Sequence, residues 1–289
     1  MVIYPSKRGD IFMYALDKII SCKANSYVIE HMNDTLKEYK EYLNLLNGIK
    51  SEDKDIFLRT LKRMELKNNQ EMEHENPFML ELELNSNNAL IKSSIDFATN
   101  MVLKDENLTN KKLEQLHRLL ISGTSDDKQI NYNIRDFDTY VFEIINSMQK
   151  VSYIPPEPSE IKNYLKKLYS FMNENIYGNN IDIFYKSFVE HFFIAALQPF
   201  GNGNTRLARL LEYTEIYKLT REYLCDTLES PALYMSKNYL LTRKYYRDSI
   251  SKIVAEPTDS NINKWFNYNL DMVDEQINFC SNALKKKYK

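Results

Sequence analysis

The chain has 289 residues, 43% of them hydrophobic and 12% aromatic, with 38 basic against 40 acidic side chains for a net charge of −2. That much apolar material buries a substantial core, which excludes a disordered chain, and the balanced charge excludes a global field drawing the protein to nucleic acid or an anionic membrane. With only 6 glycines and 8 prolines, strand-rich folds and glycine-loop nucleotide folds are disfavoured and a mostly helical fold is expected.

The N-terminus lacks the apolar core of a signal peptide, and no stretch reaches the roughly 18 apolar residues of a membrane span. Cys22, Cys225 and Cys280 are odd in number and scattered, which fits reduced thiols better than a disulfide framework or a zinc site. A soluble, cytoplasmic protein without a membrane partner is expected. The terminal Lys285, Lys286, Lys287 and Lys289 read as a solvated helix end that suits the macrodipole, so no strong nucleic-acid signal remains.

Residues 11 to about 70 show helical stripes, Ile11, Tyr14, Ala15 and Ile19 in one and Tyr39, Tyr42, Leu43 and Leu46 in another, which look like packing surface. Lys67 to Asn76 has little apolar period and reads as a linker or loop, with a new unit near residue 80. The helical period resumes through Ile91, Ile95, Ala98, Met101 and Val102, then through Leu113, Leu116, Leu119 and Leu120, with Gly123 as the expected stop. Tyr140-Val141-Phe142 is the best strand candidate. Pro155-Pro156-Glu157-Pro158 is a rigid extended piece, and Ser159 is the expected cap of a helix with the stripe Ile161, Leu165, Leu168 and Met172. Phe184 to Leu197 is apolar on nearly every face, which places it at the centre, and Leu207, Leu210, Leu211, Ile216 and Leu219 mark a second buried helix. Three regions are expected: an N-terminal helical region 1–80, a core 81–225 and C-terminal helices 226–289.

Between the two buried helices lies Gln198-Pro199-Phe200-Gly201-Asn202-Gly203-Asn204-Thr205, with the second helix starting near Arg206. A short Gly/Asn loop entering a helix N-terminus presents unpaired N–H groups and the positive end of a dipole, which is an anion site. Arg206 and Arg209, three apart, share a face of the first turn and can both reach a phosphate. The same residues also suit a plain interhelical turn whose arginines pair with carboxylates, or a helix-turn-helix DNA reader. GxxxxGK[ST] is absent.

The segment resembles the motif HPFx(D/E)GNGRxxR of the Fic (Fido) family of nucleotidyl transferases, with Pro199, Phe200, Gly203, Asn204, Arg206 and Arg209 matching six of nine specified positions. His191 and Ile194 before the motif, Tyr153-Ile154-Pro155-Pro156, Pro231 to Ser236, Tyr245-Tyr246 and Trp265 extend the likeness over roughly residues 90 to 280. An alternative register sets Gly201-Asn202-Gly203 on the family's Gly-Asn-Gly but misplaces both arginines. The resemblance implies an all-α, Fic-like helical core with a small β-hairpin flap and, here, an N-terminal helical extension. In family members the motif His accepts the proton of a target Ser, Thr or Tyr hydroxyl, which attacks the α-phosphate of ATP and becomes AMP-modified. The acidic position holds Mg²⁺, the Gly-Asn-Gly backbone cradles the phosphates, and both arginines stabilise their charge. By resemblance Gly203, Asn204, Thr205, Arg206 and Arg209 hold the nucleotide phosphates, and Tyr140, Val141 and Phe142 dock a target chain as an added strand.

Three departures fall on the chemistry. Gln198 stands at the His position, and a carboxamide does not titrate near neutrality. Asn202 stands at the Mg²⁺ position, offering a neutral oxygen to a hard cation. Thr205 replaces the second glycine. The family's inhibitory helix, (S/T)xxxE(G/N), whose Glu pairs with the second motif Arg, has only a degraded counterpart in Ser93-Ser94-Ile95-Asp96-Phe97. His191 reads as a packed helix histidine, and His31, His74 and His117 have no neighbours suggesting a metal or a triad. The first expectation is therefore a catalytically impaired relative of protein AMP-transferases, with weakened ATP and Mg²⁺ use, that acts by binding a nucleotide or a protein. An active adenylyltransferase with a non-His mechanism and a DNA-binding regulator are the alternatives. The sequence leaves open the protein partner and a homo-oligomer.

Overall fold

A computed structural model describes residues 8–72, 93–122, 124, 132–145 and 148–287. In chain order the described elements are α1 (Arg8–Ser21), α2 (Ser26–Gly48), α3 (Ser51–Glu71), α4 (93–103), α5 (Asn110–Ile121), β1 (Val141–Ile145), β2 (Met148–Tyr153), α6 (Pro158–Asn173), α7 (Asp182–Leu197), α8 (Asn204–Leu224), α9 (Ser236–Leu241), α10 (Arg243–Ala255) and α11 (Asp259–Lys287). The fold is all-α with one small antiparallel hairpin.

Every residue of α7 is buried, as its unbroken apolar character requires, and α8 buries fourteen of its side chains against it and its neighbours. The two helices run antiparallel, since His191 on α7 meets Glu212 on α8. The expected stripe of α6, Ile161, Leu165, Leu168 and Met172, is buried. Along α2, Tyr39, Tyr42, Leu43 and Leu46 face inward, and the Tyr42 hydroxyl donates to the Ala232 carbonyl at 2.8 Å. The long α11 packs along α2. It carries Asp259 in its first turn and Lys285, Lys286 and Lys287 in its last, both favourable to the dipole.

Local chemistry sets the ends. Asn25 accepts the Val28 N–H to start α2, and Thr109 accepts the Lys112 N–H to start α5. Ser159 is not the cap of α6: Pro158 occupies the first turn, where its missing N–H is harmless, and Glu157 precedes it without a side-chain cap. α3 continues to Glu71, so residues 67–71 of the expected linker are helical. Its Asn69 and Gln70 are buried by polar pairing, which leaves no apolar period to read. Gly123, the expected helix stop, and His74 lie outside the described residues. Cys22 and Cys280 are buried and Cys225 is exposed, all three as free thiols.

The hairpin is longer than Tyr140-Val141-Phe142 suggests. Tyr140 precedes β1, and β1 pairs with β2 from Val141↔Tyr153 to Ile145↔Met148, with an irregularity between Val141 and Phe142. Its base is fixed by the Tyr153 hydroxyl on the Ala195 carbonyl at 3.1 Å and by Ser152 on Ser251 at 2.7 Å. No helix of the described residues is long and apolar enough to cross a membrane.

Candidate functional site

The loop between α7 and α8 is built on two left-handed residues. Gln198 ends α7 at φ 50°, ψ 60°, and Gly203 precedes α8 at φ 72°, ψ 8°. For a non-glycine residue this conformation costs on the order of 1 kcal/mol, so Gln198 needs support from its surroundings. Its side chain supplies part of it: Nε2 donates to the Ala195 carbonyl at 2.6 Å, and Oε1 accepts from Asn204 Nδ2 at 2.8 Å. Asn204, only 2% exposed, also accepts the Phe200 N–H and donates to the Phe200 carbonyl. The carboxamide of Asn204 thus braces the turn from inside.

Asn202 is exposed, and its Oδ1 accepts the Gly203 N–H at 2.7 Å. The oxygen at the expected Mg²⁺ position is neutral and is used within its own turn, so it does not fit a hard cation. Among the described residues there is no cluster of three or more His, Cys, Asp or Glu side chains suited to a metal. Thr205 is half-buried on the first turn of α8. Gly203 is a required glycine: a Cβ there would sit 3.0 Å from Ile121 Cγ1 and closer still to Cδ1. Gly201 is tight only against the ring of Phe137, a half-exposed side chain free to move.

Two residues that sequence reasoning passed over hold this loop. Arg135, 3% exposed, donates from Nε to the Gln198 carbonyl at 2.7 Å, from Nη1 to Phe137 and from Nη2 to Pro156, while its own N–H reaches the Pro199 carbonyl. It staples the motif loop to the segment entering the hairpin and to the proline run leaving it. His117 stacks on Phe200 with ring centroids 3.9 Å apart and planes 4° apart, and its Nε2 donates to the Asn202 carbonyl at 2.9 Å. Burial, partly offset by that bond, lowers its pKa to about 4, so the ring is neutral at pH 7. Neither residue belongs to a spacing pattern that could have announced it.

Arg206 and Arg209 share one face of α8, as their spacing requires, and both are buried. The face meets the end of α3: Arg206 Nη1 donates to Gln70 Oε1 at 3.1 Å, and Arg209 donates from Nε to Asn69 Oδ1 at 2.7 Å and from Nη2 to the Asn69 carbonyl at 3.2 Å. Among the partners of these guanidinium groups are thus two neutral carboxamides contributed by α3, and Arg209 also lies close enough to act on the Glu65 carboxyl. The Ser93 to Phe97 segment opens α4 alongside, with Asp96 paired to Lys62 of α3. Tyr140 and Phe142 are exposed on the hairpin with their rings 6.3 Å apart.

α3 is held by one more contact. Glu65, fully buried, accepts the Ser236 hydroxyl at 2.6 Å and the Ser236 N–H at 3.2 Å at the start of α9. Burial pushes its pKa from 4.5 up to about 7 against the pull of Ser236 and Arg209. A folded pKa above the unfolded value means a contribution that is full below pH 4.5 and lost as pH rises through 7. Between pH 5 and 8 the wild type is expected to lose up to about 3 kcal/mol relative to Glu65→Gln. Urea unfolding of both proteins at the two pH values checks this, and parallel pH profiles would contradict it.

His191 is the packed helix histidine the sequence suggests. It is 0% exposed, two turns from Gln198, with Nδ1 2.9 Å from Glu212 Oε2 and Nε2 2.7 Å from the Tyr246 hydroxyl. Tyr239 donates to Glu212 Oε1 at 2.7 Å and lies 2.6 Å from Asn269 Oδ1. His31 pairs with Asp274 and Asn267 at the α2–α11 seam, far from the loop in the fold.

A central antiparallel helix pair, a short loop with a positive-φ glycine opening the second helix, two arginines on its first turns and a hairpin tied to the end of the first helix define a Fic-type helical protein. Residues 107–215 match the model of the Fic/DOC family, so this stretch of the chain is similar to a Fic/DOC domain. Similar solved structures carry the same fold at low identity. A Fic domain containing signaling protein from Bacteroides thetaiotaomicron is 14% identical with a TM-score of 0.65, over 89% of this chain and 97% of that one. Fic-1 from C. elegans, residues 134–508, is 13% identical with a TM-score of 0.61, over 96% and 84%. A Fic family protein from Desulfovibrio desulfuricans is 12% identical with a TM-score of 0.60, over 92% and 77%. A search of curated proteins found no match.

Proposed function

We propose that this Fic-like protein binds a nucleotide or protein partner at the α7–α8 loop and does not transfer AMP at an appreciable rate. The observation that carries the reading is the state of Gln198: a carboxamide without a titratable proton, bonded at both ends to Ala195 and Asn204. Loss of a general base typically costs about 10²–10⁴ in rate. Asn202, committed to Gly203, supports the same conclusion for Mg²⁺.

The anion-binding part of the reading rests on Arg206 and Arg209. Asn69 and Gln70 offer them neutral amide oxygens, and a phosphate is a stronger acceptor for a guanidinium than an amide. Nucleotide binding therefore competes with Asn69 and Gln70 for the two arginines and loosens the end of α3. The hairpin, with Tyr140 and Phe142 exposed, is the proposed docking edge for a protein partner.

Calorimetric titration with ATP tests the pocket. Asn69→Ala, which removes one competing acceptor, is expected to bind more tightly than wild type, and Arg209→Ala to bind at least about tenfold more weakly, as for a lost charge-assisted hydrogen bond. Equal affinity of wild type and Arg209→Ala, or no binding by any of the three, would overturn the phosphate assignment.

A further inference from the structure

A second site lies farther along the same two helices. A cavity of about 50 Å³, partly open to solvent, is lined by α4, α5, α6, α7 and α8 and by the stretch 106–108. Glu215 is eleven residues into α8 and Glu190 eight residues before Gln198 on α7, which sets them on the order of 12–16 Å along the helices from the motif loop. Most of the wall is apolar, including Ala98, Met101, Leu116 and Leu211. Into this wall come two carboxylates, Glu190 at 3% exposure and Glu215 at 7%.

Neither carboxylate is satisfied by the protein. Glu215 Oε2 meets Lys218 Nζ, itself part of the cavity wall, at 3.6 Å, and Glu215 Oε1 is fully buried without a hydrogen-bond partner. Glu190 makes no hydrogen bond or ion pair among the described residues. The other nearby ammonium, Lys186, donates to the Glu174 carbonyl at 3.0 Å. Buried carboxylate oxygens without a hydrogen-bond donor carry a desolvation cost that a proton or a donating cation reduces. Burial raises both carboxyls above the ordinary range, with Glu215 and Glu212 adding to the rise at Glu190, Glu222 adding to it at Glu215, and Lys218 and Lys186 opposing it at both. Neither ammonium hydrogen-bonds Glu215 Oε1 or the Glu190 carboxylate, which leaves acceptors in the cavity wall for a cationic donor.

We propose that this cavity is a binding site for a small primary alkylammonium ion, its charged head between Glu190 and Glu215 and its short aliphatic tail against the Ala98, Met101, Leu116 and Leu211 wall. The volume corresponds to only a few water-sized spheres, at roughly 10–15 Å³ each, which admits a short alkyl chain and excludes a nucleotide. The apolar wall disfavours a divalent metal ion, which needs six or more oxygen ligands or retained water. The site is independent of the chemistry at Gln198.

Thermal unfolding with methylammonium, ethylammonium and n-propylammonium chlorides, compared with NaCl and MgCl₂ at equal ionic strength, tests the proposal. A saturable rise in Tm is expected with the alkylammonium salts alone. The apparent Kd should rise at least about tenfold in Glu190→Gln/Glu215→Gln, as for lost hydrogen bonds to a charged group. Where circular dichroism shows that this double variant is not fully helical, Ala98→Leu, which fills the cavity and keeps both carboxylates, should abolish the response. An equal response to NaCl, a larger one to MgCl₂, no saturable response, or an unchanged response in the folded variants would overturn it.

Discussion

Replacing His191 with leucine is expected to lower the unfolding free energy by about 2–4 kcal/mol, since it leaves buried groups on both sides of the ring short of a hydrogen bond at roughly 1–3 kcal/mol each. The side chain is fully buried between α7, α8, α10 and α11, and its ring lies edge-on to Tyr239 and Trp265 with centroids 5.4 Å away in each case. Volume is nearly conserved in the change, so the loss falls on the polar network. Glu212 would keep Tyr239 and lose the imidazole, and the Tyr246 hydroxyl would lose its acceptor. Replacing both members, His191→Leu with Glu212→Met, should cost less than the first change alone, because the buried carboxyl that lost its imidazole partner is then replaced by an apolar group of similar size. Guanidinium unfolding of the two variants measures the difference. A single-variant cost under 1 kcal/mol, or a double variant worse than the sum, would contradict the network.

Gly203→Ala is expected to destabilise the protein by about 2–4 kcal/mol, combining the strain of a left-handed alanine with overpacking against α5. The backbone at φ 72° cannot relax without moving the start of α8, and the new methyl meets Ile121, which is 0% exposed. Ile121→Val, which shortens the obstructing side chain, should recover the packing part and leave the backbone part. Gly201→Ala is the control: its obstruction is the half-exposed Phe137 ring, and its cost should be under 1 kcal/mol, as for a surface change. A drop in Tm for Gly203→Ala no larger than for Gly201→Ala would contradict this account of the loop.

The contrast between these two glycines shows how far the sequence alone reaches. Their closeness in a glycine-poor chain marks the segment, and the match to the Fic motif singles out Gly203; only the fold shows that Ile121 of α5 is what makes it necessary. Hydrophobic period found α6 through Ile161, Leu165, Leu168 and Met172, and the all-round apolar run found α7, because apolar burial leaves a repeating trace. Polar burial leaves none. Asn69 and Gln70 look like solvent-facing residues of a loop, yet they close over Arg209 and Arg206. Arg135 sits in an ordinary polar stretch, yet it gathers the carbonyls of Gln198, Phe137 and Pro156. The second hairpin strand, Met148–Tyr153, was missed because residues such as Gln149 and Lys150 dilute its β pattern, and pairing with β1 decides it.

The same limit applies to the site. Gln198, Asn202 and Thr205 were legible as departures from the family motif. That the carboxamide of Gln198 is tied down at both ends depends on the left-handed turn that folds it back on Ala195 and Asn204, and that the arginines already have partners in α3 depends on contacts across more than a hundred residues of chain.

Incubation with Mg²⁺ and ATP labelled at the α-phosphate, using wild type beside Gln198→His and a folded protein preparation as acceptor, tests the central claim most directly. The account predicts no protein-bound label from the wild type, with any transfer confined to the histidine variant. Label transferred by the wild type at a rate comparable to that of Gln198→His would contradict it.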